Sequence, residues 1–243
     1  MSLQKSIYDF AYKLRQQPLG NFLANTWHRC APSITVRRKI YGVDVCMDLR
    51  DSLYWWGVDP ERIEAIEGFE KLLTGVKGNV WDVGCNVGIF SLYAASLGNK
   101  VTAFDLSPKA ISLLQKSAKV NGFDIATVSR AFSTTQFKYT PPKDADTRNQ
   151  ATAQSAESEG EMSITFLEAE KKFGRPDFIK LDVEHHETVF LKSQEFREWI
   201  KTNRIPLIVE LHEMSYWDLV WSDVPYVRFD DHHPFFNPPP ARS

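Results

Sequence analysis

Asn79-Val80-Trp81-Asp82-Val83-Gly84-Cys85-Asn86-Val87-Gly88-Ile89-Phe90 is the stretch whose reading decides the fold. Val80, Trp81 and Val83 make a buried strand, and Gly84 and Gly88 permit a tight turn. Ile89-Phe90-Ser91-Leu92-Tyr93-Ala94-Ala95 then restarts the chain as a helix. A loop of this kind lets a ligand lie against bare backbone, as in dinucleotide-binding folds. The spacing, however, is Asp-x-Gly-x-x-x-Gly and not Gly-x-Gly-x-x-Gly. A carboxylate placed where a pyrophosphate would sit repels it, so Asp82 argues against NAD or FAD. It suits a cofactor with a positive amino-acid end and no phosphate. S-adenosylmethionine (SAM) has that chemistry.

A second acid supports the reading. Lys100-Val101-Thr102-Ala103-Phe104-Asp105 is another short apolar strand ending in a carboxylate. In doubly wound folds an acid about 20 residues beyond the first turn accepts hydrogen bonds from ribose hydroxyls. Either acid alone could be a solvated strand end. Strand, glycine turn, helix, strand and acid in this order point to a nucleoside-type cofactor.

Composition bounds the class. The chain has 243 residues, 43% hydrophobic and 25% charged, which is ordinary for a globular protein of one domain with extensions. The net charge of −2 supplies no basic footprint for nucleic acid, and Arg37-Arg38-Lys39 reads as a solvated strand end. Cys30, Cys46 and Cys85 show no metal spacing, and their odd number argues against a disulfide framework. No run approaches the ~18 apolar residues of a membrane span. Lys5, Asp9, Lys13 and Arg15 interrupt the N-terminus as a secretory signal would not, so the expected compartment is cytoplasmic.

The rest of the chain alternates strands with helices. Residues 3–16 put Ile7, Phe10, Ala11 and Leu14 on one helical face, which would cap the domain or a second copy in a homo-oligomer; a membrane-surface helix would want a more basic polar face. Ser33 to Asp48 reads as a hairpin turning near Gly42-Val43-Asp44. Asp59-Pro60-Glu61 opens a lead-in helix that runs to Gly75. Ser107-Pro108 starts a helix stopped at Asn121-Gly122, and Ile125 to Ser129 is the third core strand. Thr140 to Gly160 holds nothing apolar larger than alanine and reads as a mobile surface loop, flanked by short strands at 137–139 and 162–165. A helix at Leu167 to Phe173 follows. Asp177 to Val183 is the fourth core strand, with a helix from about Glu187 to Lys201, and Pro206 to His212 is the fifth. A short helix near Tyr216 to Val220 and an edge strand near Tyr226 to Phe229 close the fold. The expected division is an N-terminal helix, hairpin and lead-in helix over 1–75, a cofactor-binding domain over 76–236, and an irregular tail over 237–243. This is an α/β, doubly wound, Rossmann-like chain with a mostly parallel sheet covered by helices on both faces. Ligands of such sheets lie at the carboxyl ends of the strands, where Asp82, Asp105, Asp182, Glu210 and His212 fall.

Asp182-Val183-Glu184-His185-His186-Glu187 packs five ionisable side chains behind an apolar strand. A helix N-terminus welcomes acids, which accounts for Glu187 and for Glu184. The plainer reading of His185 and His186 is solvated rings. Residues two apart on a strand share a face, so Glu210 and His212 would act together, bordering one crevice with Asp182. An alcohol attacking a sulfonium methyl group must lose its proton, and a neutral histidine with a pKa near 6.5 is a natural base, oriented by a carboxylate. The competing reading is a divalent metal held by Asp182, Glu184, His185 and His212, although no fixed metal spacing is present.

Val80 to Gly88, Ala103-Phe104-Asp105 with Pro108, Phe178-Ile179-Lys180-Leu181-Asp182-Val183-Glu184 and Val209-Glu210-Leu211-His212 together resemble the FkbM family of SAM-dependent methyltransferases, over roughly residues 40–215. The resemblance implies a class I methyltransferase fold and methyl transfer to a hydroxyl of a sugar, polyketide or similar small metabolite. It implies that the first motif cradles the methionine and ribose part of SAM, that Asp105 holds the ribose hydroxyls and that Asp182 lines the transfer site. The cofactor site is thus expected at Asp82, Gly84, Cys85, Asn86, Gly88, Asp105, Leu106, Ser133 and Asp182, and transfer assisted by His212, Asp182, Glu184 and Glu210. His185 stands where the family usually has glycine, which leaves a non-catalytic SAM-binding protein as one alternative; a protein or nucleic-acid methyltransferase is another. Asn237-Pro238-Pro239-Pro240 is only superficially like the Asn-Pro-Pro-aromatic motif of amino-group methyltransferases, because that motif belongs after the fourth strand.

Since the segment from Thr140 to Gly160 has almost nothing to bury, replacing it with a short Gly-Ser link should leave the melting temperature nearly unchanged. A large fall in a thermal scan would reveal a structural element there.

Overall fold

The computed structural model describes residues 30, 32–51, 73, 75–143, 160–228 and 232–238. The N-terminal helix, most of the lead-in helix and most of the 140–160 loop expected from the sequence lie outside the described residues.

Strands β1 (Thr35–Ile40) and β2 (Val43–Asp48) form the expected antiparallel hairpin. Its two-residue turn has positive φ at Tyr41 (47°) and Gly42 (79°), the backbone sense that matches strand twist in tight hairpins. β3 (Asn79–Val83), the helix α1 (Ile89–Ser96), β4 (Lys100–Asp105), α2 (Pro108–Asn121) and β5 (Ile125–Ser129) follow. Ser107 starts α2 by accepting the Ala110 N–H, with Pro108 in the first turn, and left-handed Gly122 ends it. Four two-residue strands come next: β6 (Phe132–Ser133), β7 (Lys138–Tyr139), β8 (Glu161–Met162) and β9 (Ile164–Thr165). α3 (Phe166–Phe173) begins with a reciprocal cap between Thr165 and Glu168. The second half is β10 (Phe178–Leu181), α4 (Glu187–Lys192), α5 (Gln194–Asn203), β11 (Leu207–Val209), a 3-10 turn at Met214–Leu219, β12 (Tyr226–Arg228) and β13 (Pro234–Phe236).

The central sheet runs β12-β13-β11-β10-β3-β4-β5. Its five central-to-edge strands β11, β10, β3, β4 and β5 are parallel, β13 runs antiparallel to β11, and β12 antiparallel to β13. The chain leaves β3 in one direction for β4 and β5 and returns on the other side as β10 and β11. That reversal opens a crevice at the carboxyl ends of β3 and β10.

Alternation along the strands assigns the two faces. Trp81 and Val83 of β3, with Ile179 and Leu181 of β10, enter a core shared with Phe166, Phe190, Phe196 and Trp199 of α3 to α5. Trp81 stacks on Trp199 at 6.0 Å and meets Phe104 edge-on at 5.5 Å. On the opposite face, Ile89, Leu92, Leu113 and Leu114 of α1 and α2 bury against Val43, Val45 and Met47 of the hairpin. The hairpin is also fixed by hydrogen bonds from Cys46 N–H to Ser117 Oγ and from Asp44 N–H to Asn121 Oδ1.

Several expectations are corrected. The helix read as one segment from Glu187 is broken at Ser193, whose hydroxyl caps α5 by accepting the Phe196 N–H. The core strands are shorter than their apolar runs, because Asp182, Val183 and residues 210–212 already turn into the crevice. β13 was not foreseen; its three residues carry no alternation, and they become a strand by inserting between β11 and β12. No helix among the described residues is long and apolar enough to cross a membrane.

Gly84 is where the two halves touch. Its φ is 76°, and a Cβ built on it would fall 1.6 Å from the carbonyl oxygen of Asp182. Gly84→Ala combines the cost of a left-handed alanine with that of overpacking, about 2–5 kcal/mol together. The melting temperature should fall by about 5 °C or more; an unchanged thermal transition would contradict this packing.

Candidate active site

The turn after β3 alternates positive φ values at Gly84 (76°), Asn86 (49°) and Gly88 (82°). The Gly84 and Cys85 N–H groups both donate to the Phe104 carbonyl, at 2.9 and 3.0 Å, which ties the turn to β4. Gly88 has no room for a side chain either, since a Cβ would lie 2.2 Å from Leu114 Cδ1. Asp105 closes the turn from the other side. Its carboxylate accepts the N–H of Asn86 and of Ser107, each at 2.8 Å. Burial pushes its pKa up to about 6 against these hydrogen bonds, and the charge of Asp82 adds to the rise.

Asp82 lies beneath the turn, 1% exposed, accepting a hydrogen bond from Ser91 of α1 at 2.6 Å. Burial raises its pKa, opposed by the charge of Lys180. Asp82 Oδ1 and Asn86 Oδ1 are buried acceptors without a hydrogen-bond partner among the described residues. A bare-backbone cradle with two unfilled acceptors and a carboxylate fits a ligand rich in N–H and O–H donors, such as the ammonium and ribose of SAM. Leu106 is half-buried at the end of β4. Ser133 is buried on β6, its hydroxyl 3.5 Å from His186 Nε2.

The second cluster assembles at the ends of β10 and β11. Glu184 and His185 both have positive φ (47° and 70°). A histidine in this left-handed conformation costs of order 1 kcal/mol and is tolerated better than most side chains. The turn aims Asp182, Glu184 and Glu187 at His212. His212 Nδ1 is 3.0 Å from Glu187 Oε1; Nε2 is 3.4 Å from Glu184 Oε2 and 3.7 Å from Asp182 Oδ1. Glu187 is 0% exposed and also accepts the Val183 N–H at 3.1 Å. Glu210 lies 3.7 Å from His233, and Asp182, Glu210 and His212 each offer an atom within 4.8 Å of the others.

These contacts set the charges. Burial alone would lower the His212 pKa, but the hydrogen bond to Glu187 and the charges of Glu187, Asp182 and Glu184 push it up to about 9. The expectation of an unperturbed neutral imidazole is therefore overturned: three carboxylates hold His212 as an imidazolium at pH 7. Burial, helped by the charge of Asp182, raises Glu184 to about 7, although His212 opposes the rise. Asp182 rises to about 6 through burial and the charge of Glu210, against the pull of Lys180 and His212. Glu210 goes the other way, to about 2: burial opposes the shift, but the His233 hydrogen bond and the charges of Lys180, His233 and His212 outweigh it.

Three residues escaped the sequence reading. Lys180 is 6% exposed on β10, 2.7 Å from Asp182 Oδ2, 3.9 Å from Asp82 Oδ1 and 4.5 Å above the Phe90 ring. Its signal was visible, a lysine inside an otherwise apolar strand. Glu187 was read as a helix-dipole acid and instead orients His212. His233 enters only because β13 returns the chain to the sheet. His186 is not a solvated ring: it packs on Phe137 and Phe190, at 5.8 and 6.0 Å, and burial lowers its pKa. His185 stays exposed, 3.5 Å from Glu213 and with its ring 5.2 Å from that of His212.

Residues 81–140 match the family model of a methyltransferase domain. Over 61 residues the chain is 44% identical to a probable protein arginine N-methyltransferase 3 of Oryza sativa subsp. japonica, covering 25% of this chain and 10% of that protein. Among solved structures it is similar to a SAM-dependent methyltransferase from Agrobacterium tumefaciens (20% identity, 78% of this chain and 57% of that one, TM-score 0.48). It is also similar to the T. thermophilus 16S rRNA N2 G1207 methyltransferase in complex with AdoMet and guanosine (16% identity, 84% and 50%, TM-score 0.49). The chain thus spans about half the length of these structures and a tenth of the curated relative. The sheet order and the domain matched over the glycine turn are those of the class I methyltransferase fold.

His212 supplies a stability test. Its folded pKa, about 9, lies above the unfolded value of ~6.5, so its contribution is complete below ~6.5 and is lost as pH rises through about 9. His212→Gln should remove up to about 3 kcal/mol at pH 6 and flatten the decline of stability between pH 6.5 and 9. Denaturant titrations at several pH values check it, and parallel profiles for the two proteins would refute it.

Proposed function

We propose that the protein moves the methyl group of SAM to a hydroxyl of a small-molecule acceptor, as its resemblance to the FkbM family implies. The observation that carries the reading is the placement of the His212–carboxylate cluster at the same end of the sheet as the glycine turn, with Gly84 pressed against the Asp182 carbonyl. In this reading Asp105 accepts the ribose hydroxyls, the turn from Gly84 to Gly88 carries the methionine part, and the methyl group faces Asp182. As the acceptor oxygen attacks, its C–O bond forms, the sulfonium C–S bond breaks, and the hydroxyl proton must leave. Glu184 takes it, because His212, 3.4 Å away, already holds a proton at neutral pH and instead steadies the carboxylate. Orientation of donor and acceptor in one crevice supplies much of the remaining acceleration.

Calorimetry with SAM and a transfer assay with labelled SAM test this together. Asp105→Asn should weaken SAM by ~1.5–3 kcal/mol, the range for a hydrogen bond to a charged group. Wild-type affinity should decline as pH drops through about 6, where Asp105 gains its proton. Glu184→Gln should lower turnover ~10²-fold or more with SAM affinity retained. Unaltered SAM affinity in folded Asp105→Asn would remove the cofactor assignment. Label incorporated into protein or RNA would make the acceptor a macromolecule, and binding without any transfer would leave a SAM-binding protein.

A further inference from the structure

The acid cluster is organised around one ring nitrogen. Glu187, fully buried, holds His212 Nδ1 at 3.0 Å and so leaves Nε2 as the atom facing Asp182 Oδ1 and Glu184 Oε2. An imidazole with one nitrogen anchored by a carboxylate and the other turned toward further carboxylates is the arrangement in which histidine ligates a metal. Asp182 is divided in the same way. Its Oδ2 is committed to Lys180 at 2.7 Å, while Oδ1 faces the histidine.

The distances fit an ion. Ligand atoms at bond lengths of ~2.1 Å lie about 3.0 Å apart at a right angle and about 3.4 Å apart at the tetrahedral angle. Here Nε2 is 3.7 Å from Asp182 Oδ1, and one atom each of Asp182, Glu210 and His212 falls within 4.8 Å of the other two. An ion would have to draw the three side chains inward. The charge pattern is compatible with one as well, since Asp82, Asp182, Glu184, Glu187 and Glu210 gather around Lys180, His212 and His233. Within the cluster, Glu187 Oε2 is enclosed without a hydrogen-bond partner among the described residues.

We propose that Asp182, Glu210 and His212 Nε2 bind one divalent first-row cation, with Glu187 as the residue that positions His212. Mixed imidazole and carboxylate donors suit Mn²⁺, Fe²⁺ or Zn²⁺. Ion and proton compete for His212 Nε2, so with the ion bound Glu184 would be steadied by the cation and not by an imidazolium. Its part in catalysis, lowering the pKa of the acceptor hydroxyl so that its proton passes to Glu184, rests on the methyl-transfer reading; its binding does not.

The test is titration of untagged, chelator-stripped protein with Mn²⁺, following the free ion by electron paramagnetic resonance. One ion per chain is expected, bound at least ~10-fold more weakly by His212→Gln and by Glu210→Gln, about 10–100-fold more weakly by Glu187→Gln, and equally well by Asp105→Asn. No saturable binding by the wild type, or undiminished binding by folded His212→Gln and Glu210→Gln, overturns the proposal. If those variants fail to fold, Co²⁺ added to the wild type decides, because visible ligand-field bands unchanged from those of the aquo ion also overturn it. SAM calorimetry on the same preparation separates the two readings: Mn²⁺ bound without SAM removes the transferase alone, and SAM bound without Mn²⁺ removes the ion alone.

Discussion

The close approach of Gly84 to the Asp182 carbonyl is the constraint on which the arrangement depends. Two neighbouring parallel strands end there, and no side chain fits between them. Because Gly84 yields that space, the turn after β3 and the turn after β10 share one crevice and not two separate loop tips. Gly88 repeats the device one step on, letting α2 press Leu114 against the start of α1. The glycine turn and the acid cluster are thus held together by backbone contact.

Lys180 is the electrostatic counterpart of that contact. It sits almost wholly buried between Asp82 and Asp182, one carboxylate on its own strand's exit and one on the neighbouring strand. Buried ionised groups persist only when paired, and here one cation serves two acids from different halves of the fold. The charges of Asp182, Asp82 and Glu210 outweigh the burial that would depress its pKa, so the lysine stays protonated. Burial raises Asp182 and Glu184, with neighbouring acids adding to the rise, whereas the surrounding acids raise His212 against its burial.

Three of the six non-glycine residues with positive φ among the described residues fall in the same region. They are Asn86 in the glycine turn after β3 and Glu184 and His185 in the turn after β10. Such residues cluster where the surrounding structure fixes a backbone that local preference would not choose. The consecutive pair at Glu184 and His185 turns the chain sharply enough for Glu184 to face back onto His212 while Glu187 begins α4 behind it.

The sequence by itself determined the layers. Strand–turn–helix spacing around Gly84 and Gly88, the acid at Asp105 and the apolar runs at 178–181 and 207–209 are local signals, and each became the expected element in a mostly parallel sheet. The positions of Asp82, Asp105, Asp182, Glu210 and His212 at or just beyond the strand ends were legible for the same reason, since each apolar run marks where its strand stops. What local pattern could not supply was the partnership among side chains far apart in the chain. Glu187 looks like a helix-start acid until β11 brings His212 to 3.0 Å from it, and β13 has no alternation of its own until it pairs with β11 and β12. The His212 pKa is likewise decided by three carboxylates from another strand end. Periodicity is written along the chain, but electrostatic environment is a property of distance in space, and only the tertiary structure sets those distances.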